Sequence, residues 1–131
     1  MSDSESTGRL RRYLEDEMGI CRDENLNARM EELEQLEAEA GESVLERDVA
    51  VLSAVANETR YKIVRLLVAA DGELCVCEIS PLVDVSQSGI SHALSQLFEA
   101  GLVTRRKDGK WRKYRATQRA IALVTAIDGS R

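Results

Sequence analysis

Apolar residues recur at helical spacing in the first third of the chain, but the stripe that they form is thin. Residues 9–18 are predicted to form a short helix, and residues 25–40 a longer one that Asn25 caps and Gly41 ends. The apolar positions of the longer helix, among many glutamates, are Leu26, Met30, Leu33 and Leu36. Such a stripe is typical of a helix that packs on another chain or on a domain edge. Residues 1–8, rich in Ser, Asp and Glu, are predicted to be disordered.

The apolar pattern becomes denser near residue 44. It predicts one helix over residues 44–56 and a second over residues 58–69, with Asn57 as the N-cap of the second. A third, short helix is predicted over residues 76–82, and Pro81 weakens its end. The chain therefore changes from sparse amphipathic helices to a region able to bury a core.

The next predicted helix runs from a Ser86 cap to residue 100, and its two faces are cleanly separated. Its apolar positions are Ile90, Leu94, Leu97 and Phe98, at spacings of i, i+4, i+7 and i+8. The opposite face carries small polar side chains and no acid, namely Gln87, Ser88, Ser91, His92 and Ser95. Side chains of this kind at the start of a helix can approach the edges of DNA bases.

Two strands follow this helix, over residues 102–107 and 111–116, and Asp108-Gly109 between them is a strong hairpin signal. A last amphipathic helix is predicted over residues 117–127. A short helix, a tight turn, a helix and a basic hairpin together predict a mainly α fold with a β-hairpin wing, a winged helix-turn-helix. The palindromic operators that such folds bind predict a homodimer.

Charge is unevenly distributed along the chain. The net charge is −5, but residues 1–50 carry 15 acidic and 6 basic residues, whereas residues 101–119 carry eight basic residues and one acid. We therefore expect an acidic N-terminal extension, 1–44, which is partly helical or disordered, and a DNA-binding domain, 45–128. The basic segment beside the polar helix face predicts a surface for double-stranded DNA.

The candidate DNA-contacting residues come from the polar helix face and from the hairpin. They are Ser86, Gln87, Ser88, Ser91, His92, Ser95, Arg105, Arg106, Lys107 and Lys110. Lys107 and Lys110 are expected at the hairpin tip, near backbone phosphates. Arg105 and Arg106 have a second interpretation, in which they brace the wing against the domain. Trp111 and Tyr114 are expected to pack within the wing rather than to stack on bases.

Several function classes find no support in the sequence. There is one histidine, His92, and no nucleotide-binding, zinc-protease or nucleophile-elbow motif, so we expect neither an enzyme nor an organic cofactor. Apolar runs fall short of the 18 residues that a membrane span needs, and the acidic N-terminus has no apolar signal core. A cytoplasmic protein without membrane contact is the expectation.

Cys75 and Cys77 are separated by one residue, at the start of the short helix predicted over residues 76–82. They are either two small buried side chains or a pair of metal ligands. On an α-helix, residues i and i+2 point about 200° apart, so the two thiols can converge on one ion only if the helix start is extended or unwound.

From about residue 45 to 116, more than half of the chain, the sequence resembles the ArsR/SmtB family of metal-sensing winged-helix repressors. The matching segments, in order, are N-E-T-R at 57–60, I-V-R-L-L at 63–67, E-L-C-V-C-E at 73–78, V-S-Q-S-G-I-S-H-A-L at 85–94, L-F-E-A-G-L-V at 97–103, G-K-W at 109–111 and Y-R at 114–115. The E-L-C-V-C segment is this family's signature for thiolate-rich sensing.

The resemblance implies a homodimeric transcriptional repressor that As(III) or Sb(III), bound at Cys75 and Cys77, releases from its operator. Ser80 stands where arsenite sensors often carry a third cysteine, and residues 117–128 lack the histidine of the family's last-helix zinc site. Cys21 is the remaining thiol and a candidate third ligand, because cadmium- and lead-type members use N-terminal cysteines. Ligand binding is expected to distort the first turn of the short helix, and through it the helix that reads DNA.

Three alternatives stay open. In the same fold, the inducer could be Cd(II), Pb(II) or Zn(II), with Glu73 or Glu78 as an added carboxylate ligand for cadmium. The cysteines could instead act as a thiol redox sensor. In a different class of function, the chain could be a protein-interaction adaptor that docks a partner on the acidic helix over residues 25–40.

Overall fold

The computed structural model describes residues 3–131, which form two compact units, one that ends at Leu45 and one that spans Glu46–Arg131. The helices are α1 (Asp3–Met18), α2 (Asp23–Glu39), α3 (Leu45–Val55), α4 (Glu58–Ala70), α5 (Val76–Ile79), α6 (Gln87–Glu99) and α7 (Gln118–Gly129). The strands are β1 (Leu74–Cys75), β2 (Val103–Asp108) and β3 (Trp111–Ala116), and short 3₁₀ turns span Glu42–Val44 and Ser80–Leu82.

The N-terminal unit is an α1–α2 hairpin with a small core of its own. Leu14, Cys21 and Leu26 are buried, and Leu10 packs against them. An ion pair between Arg11 and Asp23, 2.6 Å long, joins the two helices at the turn.

Both helices begin earlier than the sequence predicts. Because α1 starts at Asp3, the expected disorder is wrong for residues 3–8, while residues 1 and 2 lie outside the described residues. Low hydrophobicity shows only that a segment has no core to join, and extending an existing helix costs less than starting one. Asn25 is not the N-cap of α2; it is the third helical residue, and its side-chain oxygen accepts a hydrogen bond from the backbone N–H of Arg22, 3.0 Å away.

In the second unit, side-chain caps set the starts of three helices. Asn57, Ser86 and Thr117 each accept a hydrogen bond from the backbone N–H three residues on, at the starts of α4, α6 and α7. Gly101, at φ +73°, follows the end of α6, as the sequence predicts.

The sheet has three antiparallel strands in the order β1-β3-β2, one strand more than the predicted hairpin. β1 consists of two residues, and Leu74 pairs with Tyr114 and Cys75 with Lys113. The predicted Asp108-Gly109 turn is shifted by one residue, because Asp108 pairs with Trp111 and leaves Gly109 and Lys110 as the loop. Gly109 has a φ of +64°, which a residue without Cβ adopts at little cost.

The core of the second unit fixes α6 against α4 and the sheet. α6 contributes Ile90, Ala93, Leu94 and Leu97, whereas Phe98, which the spacing assigned to the apolar face, is 39% exposed. Each fully buried leucine or isoleucine stabilises the fold by about 1.5–3 kcal/mol relative to exposure. Within the described part of the chain, no helix is both long enough and apolar enough to cross a membrane.

Candidate functional site

The polar face of α6 lies on the surface, as its sequence pattern predicts. Ser86, Gln87, Ser88, Ser91 and His92 are exposed, and Ser95 is half-buried. The Ser86 hydroxyl accepts the Gly89 N–H at 3.1 Å and lies 3.1 Å from the Ser88 hydroxyl, so it orders the first turn. This turn therefore offers several hydrogen-bonding groups without a carboxylate among them.

Arg60 links α3 to α6 through hydrogen bonds that the sequence pattern does not predict. Its Nε donates to the Ala54 carbonyl at 2.6 Å, Nη2 to the Ser53 carbonyl at 3.2 Å, and Nη1 to Gln96 Oε1 at 3.2 Å. One guanidinium thus joins the end of α3 to the last turn of α6. Arg60 belongs to the N-E-T-R segment, but no local signal points to Gln96, because 36 residues separate the two.

The hairpin carries the basic patch beside α6. Lys107 and Lys110 are exposed close to its tip, and Lys110 Nζ lies 5.0 Å from the centre of the Trp111 ring. Tyr114 is buried in the core, in agreement with the packing role predicted for it. Trp111 is 48% exposed at the start of β3, beside the two-residue loop, so its packing role within the wing stays a prediction.

Arg105 and Arg106 both make contacts inside the domain. The Arg105 guanidinium lies over the Phe98 ring, 4.0 Å from its centre, which joins β2 to α6. Arg106 makes a two-point ion pair with Glu73, at 2.7 Å from Nε and 2.9 Å from Nη2. This hydrogen bond holds the pKa of Glu73 below its ordinary range and raises the pKa of Arg106. In this state, both arginines have the bracing geometry of the second interpretation.

The thiol pair lies at the junction of β1 and α5. Cys75 is the last residue of β1 and the N-cap of α5, with extended backbone angles of φ −75° and ψ 151°. Its sulfur lies 3.4 Å from the Cys77 backbone nitrogen, and Glu78 Oε1 accepts the Cys75 N–H at 2.9 Å. The 200° separation expected for two helical residues does not apply here, because Cys75 precedes the helix. The extended start that convergence of the two sulfurs needs is therefore already present.

The two thiols differ in their surroundings. Cys75 is buried, whereas Cys77 is exposed to solvent. A hydrogen bond with the Cys75 sulfur, followed by partial desolvation, raises the pKa of Cys77 above its ordinary value. A pair of neighbouring thiols, one of them open to solvent, fits a thiophilic ion. Within residues 3–131, however, no group of three or more Cys, His, Asp or Glu side chains is arranged to hold a metal.

Of the other candidate ligands, Glu73 and Glu78 flank the pair and already accept hydrogen bonds from Arg106 and from the Cys75 N–H, whereas Cys21 belongs to the N-terminal unit. Cys21 is buried in the N-terminal unit between Leu14 and Leu26, with its sulfur 3.7 Å from the Arg22 carbonyl oxygen. Ser80, at the position of the family's third cysteine, is the half-buried residue that follows α5. Cys77 and Cys75 are thus the two thiols that the fold brings together.

An exposed polar helix with a basic hairpin beside it defines a winged helix-turn-helix protein. The family described as "Bacterial regulatory protein, arsR family" matches residues 57–105. An arsenical resistance operon repressor named ArsR, from Halobacterium salinarum, is 67% identical over 96% of this chain and 98% of its own length. The chain belongs to the arsR family of bacterial regulatory proteins.

Two further proteins show the same similarity at greater distance. The arsenical resistance operon repressor of Escherichia coli is 46% identical over 60% of this chain and 67% of its own. The solution structure of Mb0332 from Mycobacterium bovis, a homodimeric winged helix-turn-helix DNA-binding domain, superposes with a TM-score of 0.57 at 28% identity, over 67% of this chain and 80% of that domain.

Proposed function

We propose that this protein is a homodimeric repressor of arsenical resistance that leaves its operator when As(III) or Sb(III) binds Cys75 and Cys77. One observation carries the proposal. The thiol pair lies at the junction of β1 and α5, at the start of the helix-turn-helix, in a chain that is similar over nearly its full length to the Halobacterium repressor.

Operator binding is proposed to use the exposed face of α6 and the wing. In this fold the second helix of the helix-turn-helix enters the major groove, where Gln87, Ser91 and His92 would meet base edges. Lys107 and Lys110 would bind phosphates beside that groove. Ser86, Ser88 and Ser95 complete the proposed contact face, and Arg105 and Arg106 would reach DNA only by leaving their present partners.

Dimerisation is proposed to use α3 and α7. Val49 and Leu52 on α3 and Ile127 on α7 are each more than a third exposed, although they are large and apolar. A groove between these helices is lined in part by Val51 and Leu123. Exposed apolar surface of this kind is typical of a contact with another chain, and a two-fold dimer would present two α6 helices to a palindromic operator.

Ligand chemistry favours As(III) and Sb(III). Soft thiolates select thiophilic ions, and these two metalloids are satisfied by three thiolates, whereas tetrahedral zinc or cadmium prefers four ligands. Cys75 and Cys77 would supply two of the three thiolates. Cys21, the remaining thiol of the chain, is the proposed third, supplied by the partner subunit.

The experiment measures operator affinity and free thiols on the same reduced protein. Operator binding is followed by fluorescence anisotropy with and without As(III), and free cysteines are counted with a chromogenic disulfide. We expect a clear loss of operator affinity together with protection of two or three thiols. Three protected thiols include Cys21 in the site, whereas two confine the site to Cys75 and Cys77.

Other outcomes favour the alternatives. If Cd(II), Pb(II) or Zn(II) releases the operator and As(III) does not, the protein is still a repressor but its inducer is a different metal ion. Release by peroxide without any metalloid would point to a thiol redox sensor. Failure to bind the promoter of any arsenical resistance gene would overturn the repressor and favour the adaptor. The Cys75→Ser/Cys77→Ser variant is the matched control, expected to bind DNA and not to respond.

A further inference from the structure

We propose that β1 and the Glu73–Arg106 ion pair transmit ligand binding at Cys75 to the wing, so that Glu73 and Arg106 are positioning residues of the response. This inference rests on the proposed function and names the route by which its two sites are coupled. It adds a second route to the distortion of α5, and through it of α6, that the sequence suggests.

The first step of the route is strand pairing. Cys75 pairs with Lys113 and Leu74 with Tyr114, so the backbone of the thiol residue is itself part of the wing sheet. Tyr114 is buried in the core. A ligand that pulls the Cys75 backbone toward Cys77 must therefore change the pairing of β1 with β3, because a two-residue strand has no other pairs to absorb the shift.

The second step is the ion pair. Glu73 immediately precedes β1, and both of its carboxylate oxygens accept hydrogen bonds from Arg106 on β2. Arg106 is in turn the register partner of Lys113. The segment before the thiol is thus attached to both strands of the wing, to β3 through the backbone and to β2 through a two-point contact that fixes direction as well as distance.

The third step connects the wing to α6. β2 packs against α6. Arg105 on β2 stacks on Phe98 of α6, and Arg105 is the residue directly before Arg106. α5 makes its main contacts with β1, β3 and the 3₁₀ turn that follows it. A displacement of β1 is therefore expected to reach the wing first and to change the angle between wing and α6.

Glu73→Gln tests this route. The variant keeps the side chain's size and removes the charge that binds Arg106. We expect As(III) to protect the same number of thiols as in the unsubstituted protein. The ratio of operator Kd with As(III) to operator Kd without it should fall by about threefold or more, within the range that residues between coupled sites produce. Asp108→Asn is the matched control, because it removes the wing's other ion pair, with Lys113, and leaves Glu73 in place.

Arg106→Lys separates positioning from DNA contact. Lysine keeps the charge but cannot reproduce the two-point geometry. If Arg106 is a positioning residue, Arg106→Lys should lower the ratio of operator Kd with As(III) to operator Kd without it, as Glu73→Gln does. A phosphate contact predicts instead an altered affinity without As(III) and an unchanged ratio, and that result would overturn the assignment.

Trp111 supplies a readout that does not depend on DNA. It is the single tryptophan of the chain and it begins β3 at the wing tip. We expect As(III) to change Trp111 fluorescence in the unsubstituted protein and in Asp108→Asn, and to change it much less in Glu73→Gln. Without any ligand, amide hydrogen exchange of β1 should be faster in Glu73→Gln.

The failures of the two proposals are distinguishable. If As(III) neither protects thiols nor releases DNA from the unsubstituted protein, the proposed function fails. If the unsubstituted protein responds and Glu73→Gln responds equally in both the Kd ratio and Trp111 fluorescence, the function stands and the route through the wing is wrong.

Discussion

The sulfur of Cys75 lies 3.4 Å from the backbone nitrogen of Cys77, in the position that a serine or aspartate oxygen occupies in an ordinary helix cap. A side-chain hydrogen bond with Cys75 also raises the pKa of Cys77. One atom therefore holds the start of α5 and sets the reactivity of the neighbouring thiol.

The raised pKa predicts slow alkylation of Cys77 at neutral pH. In a Cys21→Ala background, Cys75→Ala removes the hydrogen bond that favours the protonated thiol, so the pKa of Cys77 should fall. The measurement is the rate of iodoacetamide reaction against pH, which should rise at lower pH in the double variant. An identical pH profile in the two proteins would show that Cys75 does not act on Cys77.

The stacking of Arg105 on Phe98 predicts a coupling between wing and α6 in the isolated protein. A double-mutant cycle with Arg105→Leu and Phe98→Leu, followed by urea unfolding, should give an interaction free energy of about 0.5–1 kcal/mol. The cycle of Phe98→Leu with Lys107→Leu is the control and should be additive. Additivity in both cycles would mean that the ring and the guanidinium do not interact in solution.

Lys110 is predicted to bind a backbone phosphate. Lys110→Gln should weaken binding to specific and random DNA alike, and should reduce the slope of log K against log salt by about two, one for each Lys110 of the dimer. Lys62→Gln, which removes an exposed lysine from α4, is the control and should leave the slope unchanged. The slope is measured by titrating operator at several KCl concentrations, and an unchanged slope for Lys110→Gln places Lys110 away from DNA.

His92 is predicted to contact base edges or phosphate from the exposed face of α6. If it reads bases, His92→Ala should weaken operator binding by about 1–3 kcal/mol for each half-site and leave binding to random DNA nearly unchanged. Competition between labelled operator and random DNA measures that difference. Equal weakening of both affinities would assign His92 to phosphate, and no weakening would leave it as a solvent-exposed side chain.

The ion pair between Arg65 and Asp128 predicts a pH-dependent contribution to stability. Its hydrogen bond lowers the pKa of Asp128 in the folded state. The contribution is present above the ordinary aspartate pKa of about 3.9 and is lost as the pH falls through the lower folded value. Both side chains are well exposed, so the effect should be small. The Tm of Asp128→Asn should lie closest to the Tm of the unsubstituted protein at low pH. A difference between the two Tm values that grows as the pH falls would contradict this assignment.

The helices of the second unit follow closely from local sequence. Asn57 and Ser86 act as the caps that their spacing predicts, and Gly101 takes the left-handed conformation after α6. These signals depend on residues within a few positions of each other, so they can be predicted from the sequence.

Contacts across the sheet cannot be predicted from local sequence signals. β1 is two residues long, too short for an alternating pattern, and it exists because β3 lies beside it. Glu73 and Arg106 are 33 residues apart, and nothing near either one indicates the other. The sequence pattern therefore predicts a helix that begins at Val76 but gives no sign of the strand that Cys75 ends.

Cys75 fills a position for which the fold prefers serine, threonine, asparagine or aspartate. Under the proposed function, a change of Cys75 to serine abolishes the response and leaves α5 capped at least as well as before. Cys75 is not part of the main core cluster of the second unit, so induction can then be lost without loss of that core. A lineage freed from exposure to arsenic can lose induction in a single step and keep an intact, permanently silencing DNA-binding protein. The reverse substitution, from serine to cysteine, can restore induction without any change in the fold.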